Sequence, residues 1–307
     1  MSRLVSVLSW YNNEPMSWED YRLILALVRE RTVRGAARSL GVSHATVSRR
    51  LAHLNSREGG PFVQKSPSGL WPSKAGVVVV KAAEKMERIV SEASRRRRSA
   101  ETSLSGPLCV SVPNPVLKYL LFDSVIEFDE RFPGIDLTID ATDRLVNLDR
   151  AEADIAIRIT EAPPEHWIGR RLFPYKLSLY GHRDYLSSRP ESEYRWIAPV
   201  GDPPRWSDWL ERSPFPDAPV AMRISSITGR FQALKHGIGL GRAACFMADS
   251  ESELVRLPGA EVVRGETLWV LSHPDLARTD RARAALRFFA AQLQNKKSAI
   301  QGGHVDD

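Results

Sequence analysis

Apolar residues in the first hundred positions recur at helical spacing in several segments. The spacing predicts an amphipathic helix over residues 18–30 and a second, short helix over 34–40. Gly41 follows at a position where a helix end favours a residue tolerant of positive φ, and Ser43 is placed to cap a third helix. The apolar residues that define the first helix are Trp18, Tyr21, Leu25 and Val28.

The third predicted helix has one apolar face and one polar face. Its apolar side is formed by Val47, Leu51 and Leu54. Small residues allow a helix to approach the DNA major groove closely, while arginine and histidine read base edges or hold phosphates. The pattern therefore favours DNA binding, with a solvated helix of an ordinary bundle as the alternative. The residues on or beside the polar face are His44, Ala45, Thr46, Ser48, Arg49, Ala52 and His53.

A small hairpin and one long helix follow. "GGPFVQK" and "SGLWP" predict two short strands, and the helix runs from about residue 74 toward the arginines at 95–98. A heptad-like spacing in this helix indicates pairing with a second copy, although packing on its own domain remains the alternative. The spacing involves Ala75, Val79, Ala82, Met86, Ile89 and Ala93, of which Val79, Ala82, Met86 and Ile89 are the predicted dimerisation residues.

From Gly106 onward, β-rich runs alternate with helical segments. "GPLCVSV", "GIDLTID" and "ADIAIRI" predict strands, with the helical "VLKYLLFDSVIEFDERF" between the first two. This alternation is typical of an α/β domain with a largely parallel sheet. In such sheets ligands bind beyond the carboxyl ends of the strands, so this region is the candidate for a small-molecule site.

The charge is distributed unevenly along the chain. Residues 1–105 hold 18 lysines and arginines against 9 acidic residues, whereas residues 106–307 hold 25 against 28. A basic amino-terminal third indicates a polyanion-binding module attached to a near-neutral domain. Two cysteines, Cys109 and Cys245, do not make a disulfide framework, and no run approaches the roughly 18 apolar residues of a membrane span. The predicted location is the cytoplasm.

Residues 18–76 resemble the amino-terminal domain of LysR-type transcriptional regulators, without a gap. Matching positions include Ala36-Ala37, Leu40-Gly41, Val47-Ser48, Leu54, Gly69 and Ala75-Gly76. The chain departs from the family pattern at Arg31-Thr32, where the family has Gly-Ser, and at His44-Ala45, where it has Gln-Pro. The resemblance implies a winged helix-turn-helix whose DNA-binding residues are Arg34, Ser43, His44, Ala45, Thr46, Ser48, Arg49, Arg50 and Lys65.

The remainder is similar to the family's effector domain, a two-lobed fold like that of periplasmic solute-binding proteins. "EFDERFPGIDLTI", "ADIAIRI" and "ALKHGIGLGRAACFMA" carry the resemblance. Ser225 and Ser226 have a second interpretation as helix caps, and Arg158 as the partner of a nearby carboxylate. Pro115 stands where many relatives carry serine. The effector-binding residues that the resemblance implies are Asn114, Pro115, Thr142, Asp143, Arg158, Ala198, Pro199, Ser225, Ser226 and Thr228.

The predicted organisation, α/β overall, has five parts. Residues 1–15 lie outside the family pattern, so either Met16 is the true start or they form a disordered extension. The other parts are the winged helix-turn-helix (16–73), the linker and dimerisation helix (74–105), the effector domain (106–293) and a flexible tail (294–307). The two lobes are expected at about 106–178 with 268–293, and at 179–267.

The predicted function is sequence-specific transcription regulation modulated by a small molecule. Its expected partners are a dyad-symmetric operator in double-stranded DNA, an unidentified effector and further copies of the chain. The resemblance implies a dimer through the linker helix and a tetramer through the effector domains, with RNA polymerase as a further candidate partner. No cofactor or metal is expected: the glycines of "GIGLGR" are wrongly spaced for a dinucleotide fingerprint, and no metal-ligand spacing or G-x-S-x-G elbow occurs. The alternatives are a DNA-tethered enzyme and a constitutive architectural DNA binder.

Overall fold

A computed structural model of the chain describes residues 16–99, 104–142, 147–201 and 208–303. The chain forms two compact units, Met1–Ser94 and Arg95–Asp307. The described part of the first unit, residues 16–94, is called the head below. The predicted extension 1–15 lies outside the described residues.

The head is a three-helix core with a hairpin and the first part of a long helix. Its elements are α1 (Trp18–Glu30), α2 (Val33–Leu40), α3 (His44–Arg57), β1 (Val63–Ser66), β2 (Gly69–Pro72) and α4 (Lys74–Ser99). Strands β1 and β2 pair antiparallel, which gives the hairpin predicted from the sequence. The head core contains Leu23, Ile24, Leu27, Ala36, Val47, Leu54, Phe62 and Val79.

The turn between α2 and α3 is set by Gly41 and Ser43. Gly41 ends α2 in the left-handed region at a φ of 66°, where a side chain would be strained. The Ser43 hydroxyl then accepts a hydrogen bond from the Thr46 amide at 3.1 Å and caps α3. The glycine and the capping serine together fix the direction in which α3 leaves the turn.

Helix α4 differs from the predicted heptad seam at Val79. Val79 is only 8% exposed and packs in the head core, beside the fully buried Ala83. The first turns of α4 lie against the head and use this side chain for their own packing. A stripe of apolar positions lies on a neighbouring face of α4, in which Val78, Met86, Ile89 and Ala93 are exposed and Ala82 is half-buried.

The described part of the second unit contains one seven-stranded mixed sheet and one two-stranded sheet. Its strands are β3 (Gly106–Val112), β4 (Ile135–Ala141), β5 (Ile155–Ile159), β6 (Ile168–His182), β7 (Trp196–Ala198), β8 (Val220–Arg223), β9 (Gly241–Ala244), β10 (Leu254–Arg256) and β11 (Val263–Ser272). Its described α-helices of four or more residues are α5 (Phe122–Arg131), α6 (Arg183–Ser187), α7 (Ile227–Lys235), α8 (Cys245–Ala248), α9 (Asp280–Asn295) and α10 (Lys297–Ile300). A π-helical turn, Leu117–Leu121, leads directly into α5.

The large sheet is not the largely parallel sheet predicted from the sequence. Its order is β10-β6-β11-β5-β3-β4, and β9 also pairs with β6. Only the pairings of β3 with β4 and with β5 are parallel, because β11 inserts antiparallel between β5 and β6. The alternation of strands and helices along the sequence does not indicate that a strand far along the chain pairs between two earlier strands.

The two long strands β6 and β11 extend through both of the lobes expected in this unit. The first half of β6 pairs with the end of β11, and its second half pairs with β9 and β10. The lobe boundaries expected at residues 178 and 268 both fall inside these strands.

The end of the chain corrects the prediction of a flexible tail from residue 294. Helix α10 follows α9 directly, and the Ile300 side chain is fully buried in the main core of the unit. The Gly302 carbonyl also accepts a hydrogen bond from Arg256 Nη2 at 3.0 Å. Because this segment is mostly polar, its sequence does not indicate that the Ile300 side chain is buried. Residues 304–307 lie outside the described part.

Within the described residues, no helix is both long enough and apolar enough to cross a membrane.

Ile300→Ala should destabilise the chain by about 2–5 kcal/mol, because it leaves a cavity in a core that cannot fully collapse. Urea unfolding followed by tryptophan fluorescence measures the change. Ile238→Ala is the matched control, since Ile238 is 41% exposed, and its effect should stay below about 0.5 kcal/mol. Equal effects of the two substitutions would show that the carboxyl-terminal segment does not anchor the fold.

Candidate functional site

The outward face of α3 is the first candidate site. Because Val47 and Leu54 are buried in the head core, the opposite side of the helix faces solvent. Helix α3 begins at His44, directly after the capping turn, so its first residues protrude from the head. The exposed residues of this helix include His44, Ala45, Ser48, Arg49, Ala52 and His53.

The two adjacent arginines of α3 have different surroundings. Arg49 lies opposite the buried face, as the sequence pattern predicts. Arg50 instead lies beside α1 and borders a shallow depression with Glu19 and Arg22. Arg49 is therefore the arginine that points directly away from the head, and Arg50 flanks that surface.

The predicted DNA-binding residues divide into exposed groups and capping groups. The Ser43 and Thr46 hydroxyls lie 2.8 Å apart in the cap of α3, and Thr46 is half-buried. Their structural role is therefore visible, whereas a contact with DNA stays a prediction. The exposed cations among the predicted residues are Arg34, Arg49, Arg50 and Lys65.

Ion pairing in the head leaves these four cations available. Arg29 pairs with Glu87 of α4 at 2.7 Å, and Arg57 pairs with Asp20 at 3.3 Å. None of the four exposed cations forms an ion pair with any residue that the structure describes. Acidic residues of the head are thus used to brace its helices, and the outward-facing positive charges suit a phosphate backbone.

The second candidate site is a cavity of about 440 Å³ in the carboxyl-terminal unit. This volume is in the range of small-molecule sites. Four of the predicted effector residues line it, namely Pro115, Thr142, Arg158 and Pro199. Asp143 lies outside the described residues. The predicted residues that do not line the cavity are Asn114, Ala198, Ser225, Ser226 and Thr228.

Local structure explains why several of these residues do not line the cavity. Ala198 is fully buried inside β7, so its side chain packs away from the cavity. Ser226 is the amino-terminal cap of α7, and its hydroxyl accepts a hydrogen bond from the Gly229 amide at 3.2 Å. Thr228 lies on the exposed side of that first helical turn. The capping interpretation of Ser226 is therefore confirmed.

Arg158 reaches the cavity but is held firmly by the protein. It is only 4% exposed, and its guanidinium donates to the Ile157 carbonyl at 2.7 Å and to Ser111 Oγ at 2.6 Å. The Ser111 hydroxyl lies 3.1 Å from the Asp140 carboxylate. Arg158 is thus linked to the Asp140 carboxylate through Ser111. This arrangement resembles the alternative interpretation, in which Arg158 is the partner of a nearby carboxylate.

The larger part of the cavity wall was missed by sequence reasoning. Arg242 follows the glycine-rich segment, in which a Cβ on Gly239 would lie 2.5 Å from the Arg195 carbonyl oxygen. The glycines therefore allow the strands to pack closely. This packing places Arg242 in the cavity wall. A charged residue directly after such a segment is the signal that could have been used. The missed lining residues include Tyr175, Trp209, Arg230, Phe231, Arg242, Phe246, Met247 and Glu266.

The charged residues of the cavity wall are three arginines and one glutamate. Burial lowers the pKa of Arg230, whose guanidinium donates to the carbonyls of Ile224 and Ser225 at 2.8 and 2.9 Å. The guanidinium of Arg242 lies 5.6 Å from the centre of the Trp209 ring. The wall is mainly apolar with a positive balance of charge, so it can hold a small organic molecule that carries an anionic group.

Across the described ranges, no group of three or more histidine, cysteine, aspartate or glutamate side chains is arranged to hold a metal ion.

Comparison with known proteins assigns both units. Residues 18–77 match the family model of the bacterial regulatory helix-turn-helix protein, lysR family, and residues 101–294 match the LysR substrate binding domain. The chain is 23% identical over 287 residues to the probable HTH-type transcriptional regulator LtrA of Klebsiella pneumoniae. That alignment covers 88% of this chain and 93% of the relative.

Solved structures show the same fold at low sequence identity. The full-length Vibrio cholerae virulence activator AphB matches with a TM-score of 0.59 at 17% identity, over 90% of this chain and 99% of that one. CrgA from Neisseria meningitidis matches with a TM-score of 0.54 at 20% identity, over 91% and 99% of the two chains. With an outward-facing helix in the head, a cavity in the second unit and family matches over both, the chain belongs to the LysR-type transcriptional regulators and combines a DNA-binding helix-turn-helix with an effector-binding domain.

Proposed function

We propose that the chain regulates transcription by reading a dyad-symmetric operator with paired heads, and that a small molecule bound in the cavity changes this reading. The outward face of α3 carries the proposal, because it combines small side chains with Arg49, which forms no ion pair within the described ranges. Small residues allow close approach to the major groove, and arginine recognises guanine through two hydrogen bonds. His44 replaces the glutamine typical of relatives and gives this chain its own base preference.

The effector acts through its differential affinity for two arrangements of the protein. A ligand shifts a conformational equilibrium only as far as it binds one state more tightly than the other. The cavity is lined from both β6 and β9 by Tyr175 and Arg242, and from β5 by Arg158. A ligand that contacts all three strands would bind most tightly to the arrangement in which these strands are closed around it.

Self-association supplies the pairing of the heads. The exposed α4 stripe includes Ile89, which is 56% exposed, and it suits the packing of a second copy of the same helix. A second exposed apolar pair, Phe122 and Ile126, lies one turn apart on α5 of the effector domain. Two different apolar surfaces would build a tetramer, with α4 forming the dimer and α5 joining dimers.

The chain is proposed to act on DNA in the bacterial cytoplasm without turning over its ligand. RNA polymerase is a candidate partner of the DNA-bound assembly. The competing functions are a DNA-tethered enzyme and an architectural binder that requires no effector. An architectural binder would show affinity with little dependence on base sequence and a steep salt dependence on all DNA.

Selection of bound sites from a random DNA pool tests the proposal. Purified full-length protein should enrich an inverted repeat, because paired heads related by a twofold axis read symmetric half-sites. Selection at a higher salt concentration should sharpen the same consensus, since non-specific binding falls faster there. Recovery of sequences without a shared pattern would favour the architectural function.

Arg49→Ala should weaken binding to the selected site by about 1–3 kcal/mol, and the loss should depend on the base that Arg49 faces. Fluorescence anisotropy with a panel of single-base variants of the site measures both effects. Arg287→Ala is the matched control, because it removes an exposed arginine from α9 of the effector domain. An equal loss on every DNA would identify Arg49 as a phosphate contact and assign base reading to other residues.

The double substitution Met86→Glu and Ile89→Glu should reduce the mass of the assembly in solution. Negative charges in the middle of the α4 stripe repel across the proposed helix pair and remove its apolar contact. Light scattering on the purified variant measures the mass. Arg88→Glu changes charge on another face of α4 and should leave the mass unchanged. An unaltered mass of the double variant would exclude the stripe as the dimer interface.

A further inference from the structure

The cavity holds two charged side chains of opposite sign, and neither has an ionic partner among the residues that the structure describes. Arg230 and Glu266 both line it. No residue in the described ranges lies within ion-pair distance of either side chain, and they do not pair with each other. Charged groups inside a cavity are costly unless they are compensated, so each of them favours a ligand group of opposite charge.

Arg230 is placed to hold an anionic group. It lies in the first turn of α7, where the helix dipole adds positive potential. One terminal nitrogen, Nη1, is fixed by the carbonyls of Ile224 and Ser225. The planar guanidinium carries five donors in a fixed geometry, so the donors that remain can bind a carboxylate.

Glu266 is placed by an irregularity of β11. The register of β11 against β6 shifts between Arg264 and Thr267, and again between Thr267 and Trp269. A β-bulge turns side chains away from regular alternation, and here the half-buried Glu266 borders the cavity while Thr267 is fully buried. A carboxylate in this position accepts hydrogen bonds from an ammonium group.

The rest of the wall is suited to an apolar side chain. Phe231, Phe246 and Met247 contribute aromatic and thioether surface, and Leu234 and Ile197 add aliphatic surface. The other two arginines are already engaged: Arg158 with Ile157 and Ser111, and Arg242 beside Trp209. The groups that remain for a ligand are therefore one cationic side chain, Arg230, one anionic side chain, Glu266, and an apolar surface.

We propose that the effector is a small zwitterion with an apolar side chain, of the chemical class of the hydrophobic α-amino acids. Its carboxylate binds Arg230, its ammonium binds Glu266, and its side chain packs on the aromatic part of the wall. A simple carboxylate or a dicarboxylate would leave Glu266 uncompensated. This inference rests on the proposed function, because it names the ligand class of the same cavity.

Titration calorimetry with matched compounds tests the assignment. Each apolar L-amino acid, from alanine to tryptophan, is titrated into the full-length protein together with its deaminated acid and its decarboxylated amine. For phenylalanine the two partial compounds are 3-phenylpropanoate and 2-phenylethylamine. At least one amino acid should bind about tenfold or more tightly than both of its partial compounds, because only the amino acid compensates both charges.

Two variants separate the roles of the charges. Arg230→Gln should weaken the amino acid and the acid about tenfold or more while leaving the amine unchanged. Glu266→Gln should weaken the amino acid and the amine to a similar extent while leaving the acid unchanged. Glu161→Gln is the matched control, since Glu161 is exposed, pairs with Arg264 and does not line the cavity. Thermal melting of each variant shows that it folds.

Three results would overturn the inference. They are tighter binding of a deaminated acid than of its amino acid, unchanged amino acid affinity in Glu266→Gln, and failure of every amino acid to bind. None of these bears on the reading of DNA, because the site selection described above is performed without ligand. A chain that selects an inverted repeat but ignores the amino acids retains its proposed function with another ligand class. A chain that binds an amino acid but selects no DNA site loses the proposed function alone.

Discussion

The insertion of β11 between β5 and β6 is the pairing on which the effector domain depends. It joins the last strand of the chain to two strands formed about a hundred residues earlier, and it runs antiparallel to both. The same strand brings Glu266 to the cavity, pairs Trp269 with Arg158 of β5, and leads toward α9, which packs in the main core. The cavity therefore exists only when this long-range pairing has formed.

The head depends on a simpler constraint, which is the burial of one face of α3. Val47 and Leu54 enter the core, and the capping turn at Gly41 and Ser43 sets the start of the helix. With that face fixed, Arg49 has no alternative to an outward direction. The acidic residues Glu87 and Asp20 are used by Arg29 and Arg57 to brace the helices. The positive charge of the head is consequently concentrated where DNA can meet it.

Sequence reasoning was successful where the determining pattern is local. The spacing of Val47 and Leu54, the glycine at 41 and the serine at 43 together specify the helix-turn-helix without any distant contact. It was unsuccessful where the determining contact is distant in sequence. Nothing near Val79 distinguishes a residue buried in its own head from one at a dimer seam, and nothing near Ile300 shows that a polar tail contains a core residue.

The same distinction explains the cavity. Pro115, Thr142, Arg158 and Pro199, which line it, are implied by the resemblance to the family. Arg230 and Glu266 reach the cavity through the first turn of a helix and through a β-bulge, and neither arrangement is visible in the residues alone. Ser226, which the resemblance also implies, caps α7 with its hydroxyl, in agreement with the alternative interpretation.

A hydroxyl-radical footprint shows whether paired heads read symmetric half-sites. The purified full-length protein would be bound to the DNA immediately upstream of the gene that encodes it. Paired heads should give two or more protected segments on one face of the duplex, separated by about 10 base pairs or a multiple of that spacing. Protection without such a period, equal on unrelated DNA and lost uniformly as salt increases, would contradict this expectation.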